Sequence, residues 1–176
     1  FGALTRVTPG VPPAPTLFVV LIVVFLLFFQ LRVADEHRDY DEDLATRPEL
    51  PVPAGVITLP ELDVFFIGAL AIEVVLTAAL HPPLLAFLFL PWLWIFLVRN
   101  DFFDRALLKR RPLLSLALHL VFFPLVALFA SAAAQLPETG ALSPSIPVFL
   151  ALSAACAVAM EFARKCKAPE DERPGV

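Results

Sequence analysis

Residues 16–43 read TLFVVLIVVFLLFFQLRVADEHRDYDED, and the change of character at Arg32 decides the fold. No residue is charged through Leu31, whereas six carboxylates fall in the nine positions from Asp35 to Asp43: Asp35, Glu36, Asp39, Asp41, Glu42 and Asp43. With the uncharged residues back to Val7, the apolar half exceeds the ~20 residues that cross a bilayer. Further uncharged runs occupy 74–98, 112–137 and 139–160. Charged residues make up 17% of the chain and hydrophobic ones 59%, against about 25% charged in an ordinary soluble domain. This excludes a soluble globular domain, and it excludes disorder, which requires low hydrophobicity and high net charge. No segment shows the alternation of a membrane barrel. The expected fold is an all-α, polytopic transmembrane bundle.

Five spans are expected within one membrane domain covering residues 1–176: Thr16–Leu31, Val64–Leu80, Pro83–Val98, Leu113–Ala134, and Ile146–Met160 extended back to Ala141. Several are shorter than a full crossing, so tilt or apolar loop residues complete them. Most of the 18 prolines cluster at 9–15, 48–60, 82–83 and 137–147, where they mark connections rather than helix interiors. The chain starts at Phe1 without an initiator Met and stops at Val176 inside a charged segment, so truncation at both ends is expected. Cys156 and Cys166 match neither a zinc pair nor a redox CxxC and read as packing or incidental residues.

Sidedness follows from the cations. Arg32, Arg38 and Arg47 lie between spans one and two, and Arg99, Arg105, Lys109, Arg110 and Arg111 between three and four. Arg164, Lys165, Lys167 and Arg173 follow span five. Twelve of the 13 basic residues thus share one face, with Arg6 the exception. The positive-inside rule makes that face cytoplasmic. Nearly all the acids crowd it too, including Glu170, Asp171 and Glu172.

Asp35, Asp39 and Asp43 stand at i, i+4, i+8 and share one face of a helix. Stacked like charges weaken a helix unless water or a cation offsets them. Carboxylate oxygens are natural ligands of Mg²⁺, which keeps several waters and binds through a few carboxylates plus substrate phosphates. Arg32, three residues before Asp35, is placed to meet a phosphate oxygen. The plainer alternative is a solvated acidic loop.

The stretch Arg32-Val-Ala-Asp35-Glu36-His-Arg-Asp39-Tyr-Asp-Glu-Asp43 resembles the first acidic motif of the UbiA family of intramembrane prenyltransferases, R-x-x-N-D-x-x-D-x-x-x-D. Asp35 stands at the Asn position and Glu36 at the first Asp, while Asp39 and Asp43 match the other two. The continuation from Arg47-Pro48 through Leu50-Pro51 and Gly55 to Thr58 is similar to the family's R-P-L-x-x-G-x-(I/L)-(S/T), with Leu50 in place of a usual Arg. Lys109-Arg110-Arg111-Pro112 resembles the family's basic segment. Arg164 to Val176 occupies the place of its second acidic motif, matched at Asp171 and Glu172 but not at Lys167.

The resemblance implies a chain covering about helices two to six of the family bundle, and so one expected to be inactive alone. It implies Mg²⁺ held by Asp35, Glu36, Asp39, Asp43, Asp171 and Glu172, with Asp39, Asp43, Lys109 and Arg110 as catalytic residues. Arg32, Arg47, Arg164 and Lys165 would bind substrate. The implied reaction transfers an isoprenyl group from an isoprenyl diphosphate to an aromatic or other electron-rich, lipid-like acceptor within the bilayer. The active-site loops would lie on the cytoplasmic face, and no nucleic acid would be involved. A carboxylate-lined cation transporter and a catalytically inactive homologue are the alternatives.

Glu73 lies in mid-span, where a charge is costly, and is expected to face the bundle interior. It would serve either an acceptor pocket or a structural hydrogen bond, with His119 as a candidate partner. His37 reads as an exposed neighbour of the acids.

Overall fold

In a computed structural model, which describes residues 11–165, the chain is a succession of helices joined by short connections. Helix α1 runs Ala14–Thr46. Pro13 and Pro15 sit at its start, where missing N–H groups leave no bond unmade. Its end is set by Pro48, which disfavours helical backbone at the residue before it. Arg47 accordingly turns out at φ −142°. At 1.5 Å per residue, the 33 residues of α1 extend roughly 50 Å, well beyond the ~30 Å hydrocarbon core. The acidic half, residues 32–46, therefore leaves the apolar run as rigid helix rather than as a loop.

Helix α2, Leu59–Leu80, begins with a capping box. The Thr58 hydroxyl accepts from the Glu61 N–H, and the Glu61 carboxylate accepts from the Thr58 N–H at 2.8 Å. Helix α3 spans Leu84–Arg99. A tight turn at Asp101–Phe103 leads into α4, Arg105–Arg110. Three helices follow: α5, Pro112–Leu120; α6, Phe122–Thr139; and α7, Ile146–Lys165.

The break between α5 and α6 falls inside the fourth apolar segment. Pro124 has no N–H for the Leu120 carbonyl and its ring crowds that group. Nearby, the Leu118 carbonyl accepts the indole N–H of Trp94 at 2.8 Å, so a side chain takes up a backbone group beside the kink. Four stretches are long and apolar enough to cross a membrane: Ala14–Thr46, Leu59–Leu80, Pro112–Thr139 (α5 and α6 together) and Ile146–Ala163. Helix α3 is shorter, at 16 residues.

The core lies where α1, α3 and α6 meet, around Val23, Leu27, Leu88, Ile95, Phe122 and Phe129. Helix α2 packs on α1 and α7 on α6. Phe18, Phe25, Phe65, Ile72, Phe89 and Val148 point outward, as suits helices bathed in lipid tails that are themselves apolar. A smaller cluster of Val33, Val52 and Leu62 seals the 47–58 connection against α1 and α2. Short connections and antiparallel helices bring the end of α1, the start of α2, the end of α3, α4 and the start of α5 to one end of the bundle.

Glu73 is wholly buried in α2, facing the interior. Its partner is Trp92 of α3, whose indole N–H donates to Glu73 Oε2 at 2.8 Å, and not His119.

Candidate functional site

The acidic half of α1 is built around Arg38. Its Nε and NH2 donate to the two carboxylate oxygens of Asp39, each at 2.8 Å. Its NH1 lies 3.3 Å from Asp35 Oδ1 and 2.8 Å from Nε2 of His119 on α5. Asp35 and Asp39, one helical turn apart, therefore converge on a single cation. Burial works to raise the pKa of Asp39, which lies beyond the membrane-spanning part of α1. The hydrogen bonds and charge of Arg38 outweigh that and hold the carboxyl below its ordinary value.

Asp101 stands near the Nε that also serves Asp39, 4.0 Å from Arg38 Nε and 3.5 Å from Arg105 Nε. Its turn is unusual. Asp101, Phe102 and Phe103 all adopt positive φ, at 48°, 51° and 62°, a region that non-glycine residues seldom enter. Rings hold it in place: Phe102 packs edge-on to Trp94 at 5.3 Å and Phe103 against Phe96 at 6.1 Å.

A second ionic knot ties the same end of the bundle together. Asp63 of α2 accepts from Arg99 NH1 of α3 at 3.0 Å and lies 3.2 Å from His37 Nε2 of α1. His37 is thus a half-buried strut between helices, not an exposed neighbour of the acids.

Between α1 and α5 opens a cleft of about 630 Å³ with Arg32, Asp35, Arg38, Asp39, Arg47, Ser115 and His119 in its walls, and Glu161 of α7 at its edge. A smaller charged recess of about 250 Å³ adjoins it, where Asp39, Asp101, Arg105 and Lys109 meet. Leu116 and Leu120 belong at once to the cleft and to an apolar groove of about 270 Å³ between α5, the start of α6, and α7. Ala154 and Val158 of α7 line the groove's far side. A charged cleft and an apolar groove thus adjoin across Leu116 and Leu120.

The remaining acids and cations are distributed as follows. Glu36 pairs with Arg32 one turn back. Asp43 is buried against Arg47, and Arg47 rather than Asp43 reaches the cleft wall. Lys109 lies 3.5 Å from Glu42, both exposed. Arg110 is exposed on α4. Arg164 and Lys165 close α7, and Asp171 and Glu172 lie outside the described residues. Arg38, Asp101, Ser115 and His119 are cleft or recess residues that the motif reading did not single out for the site. The available signal for Arg38 was its place three residues after Asp35, on the same helical face.

Among the described residues, no three His, Cys, Asp or Glu side chains stand together as a ready-made metal cage. Two convergent carboxylates nevertheless suit a hard cation that keeps most of its water and binds through one or two carboxylates plus substrate phosphates.

No curated protein and no solved structure is found to match the chain. The model of the UbiA prenyltransferase family does match, over residues 1–173, and so takes in all the described helices and both acidic segments. The chain belongs to the UbiA prenyltransferase family.

Proposed function

We propose that this membrane protein transfers an isoprenyl group from an isoprenyl diphosphate to an aromatic or other electron-rich acceptor, at a site on the cytoplasmic end of the bundle. One observation carries the reading: Leu116 and Leu120 form a wall common to the charged cleft and the apolar groove. An isoprenyl diphosphate is an amphiphile of that form. Its diphosphate belongs among Arg32, Arg47 and the acids of α1, and its tail along α5 and α7.

In the reaction the allylic C–O bond breaks with its electron pair leaving on the diphosphate. The acceptor's electron pair forms the new bond to the allylic carbon, and the acceptor loses a proton. Mg²⁺, when bound, neutralises charge on the departing diphosphate. Asp35 and Asp39 would hold it, while Glu36 pairs with Arg32 and Asp43 with Arg47; Asp171 and Glu172 are the acids of the second motif. Arg32 and Arg47 in the cleft wall and Lys109 in the adjoining recess supply fixed positive charge toward the leaving group, with Arg110, Arg164 and Lys165 as the further cations that the family resemblance implies. Leu116, Leu120, Ala154 and Val158 keep water from the reacting carbon.

The test separates head from tail. Leu116→Trp and Leu120→Trp fill the groove and leave the cleft's charges in place. They should lower affinity for an isoprenyl thiodiphosphate at least tenfold while leaving inorganic pyrophosphate binding unchanged. Equal binding of the two ligands to the parent protein, or no effect of either Trp, would overturn the reading.

A further inference from the structure

We propose that Arg38 is an internal counter-ion of the acid pair which a divalent cation must displace, and that Asp101 is the berth to which its guanidinium moves. This rests on the reading of Asp35 and Asp39 as the cation-holding pair. Three nitrogens of Arg38 already engage that pair: Nε and NH2 take the two oxygens of Asp39, and NH1 faces Asp35 Oδ1. A divalent ion set between the same carboxylates would lie within a few ångströms of a fixed positive charge in a half-buried cleft, where screening is weak. The two cations exclude one another.

The displaced guanidinium does not have to enter water. Arg38 has a long flexible stem, and Asp101 Oδ1 already lies 4.0 Å from its Nε. A small rotation exchanges Asp39 for Asp101. Asp101 shares its charge with Arg105, whose side chain is half exposed and can yield to solvent. The positive-φ turn gives this carboxylate its position. Backbone in that region is held only when the surroundings over-determine it, and such strain gathers at functional sites. Here the Trp94–Phe102 and Phe96–Phe103 ring contacts supply the restraint.

The test measures Mn²⁺ binding to the detergent-solubilised protein by the loss of free-ion paramagnetic resonance signal, with no substrate present. Arg38→Gln should tighten Mn²⁺ binding at least tenfold, whereas Arg38→Lys, which keeps the charge, should stay within a few-fold of the parent. Asp101→Asn should weaken binding several-fold in the parent. In the Arg38→Gln background it should do nothing, because no guanidinium remains to be rehoused. Asp39→Asn should abolish binding. If Asp39→Asn leaves binding intact, the reading of the acid pair fails and this proposal with it. If Asp39→Asn abolishes binding but Arg38→Gln does not tighten it, the acid pair stands and the counter-ion is refuted. Loss of binding in both Arg38 variants would show that Arg38 supports the site, and equally refutes the proposal. An Asp101→Asn effect that persists without Arg38 reduces Asp101 to diffuse charge and refutes its part.

Discussion

His119 Nε2 lies 3.1 Å from Asp35 Oδ1, joining the helix that carries the acids to the helix that walls the apolar groove. Both residues stand in the wall of the cleft, so the contact is expected to help hold its charged end. His119→Ala removes one hydrogen bond to a charged group, a loss of about 1.5–3 kcal/mol. Affinity for an isoprenyl thiodiphosphate should fall at least tenfold, measured by calorimetric titration in detergent. An unchanged affinity would mean that the α1–α5 spacing is set elsewhere.

Asp39, Asp41 and Asp43 should behave in three different ways. Asp39→Ala should abolish the Mg²⁺-dependent part of diphosphate binding. Asp41 is exposed and off the shared face, so Asp41→Ala should change nothing. Asp43 is buried against Arg47, so Asp43→Ala should loosen that arginine and weaken diphosphate binding even in chelator. Titrations with Mg²⁺ and with EDTA distinguish the three, and identical behaviour would reduce the cluster to diffuse charge.

Glu73 and Trp92 make a testable pair inside the bilayer. Glu73→Leu leaves the indole N–H without its acceptor, and Trp92→Phe removes the indole donor from the carboxylate. Each should destabilise the protein toward denaturation in mixed micelles. The double variant should be less destabilised than the sum, by about 0.6 kcal/mol and at most roughly 1.7. Strict additivity would mean that the bond contributes nothing.

Thr58→Ala removes one half of the α2 capping box and should cost about 1 kcal/mol. Thr58→Ser keeps the hydroxyl and should restore most of it, as the same denaturation assay will report.

The sequence makes the helical character legible because uncharged runs longer than a bilayer is thick have few other solutions. The helical reading of Asp35 to Asp43 is legible too, since i, i+4 spacing puts Asp35 and Asp39 on one face and Pro48 fixes where the helix stops. What escapes is lateral. Nothing along the chain says which helix neighbours which, so the sequence offers His119 as one candidate partner of Glu73, whereas its neighbours are Asp35 and Arg38. Face arithmetic applied to acids alone also passes over Arg38, the cation they share. Asp101 belongs to no motif, and three successive residues at positive φ, two of them Phe, follow no local preference. Pro124 is visible in the sequence, but whether a membrane helix bends or breaks at proline depends on who takes up the freed carbonyls. Here the indole of Trp94, 24 residues earlier, takes the Leu118 carbonyl, two residues before the one that Pro124 leaves without its helical donor.

The pairing of Glu73 with Trp92 also bears on how the protein is made. Presented alone to the insertion machinery, α2 carries an acidic residue in its middle, at a penalty of about 2.5–3.5 kcal/mol. Helix α3, with 16 residues, reaches only about 24 Å and is short for an autonomous crossing. The tight His81–Pro83 connection delivers the two together, with the indole donor of one arriving beside the carboxylate of the other. The hairpin, rather than either helix alone, is then the expected unit of insertion.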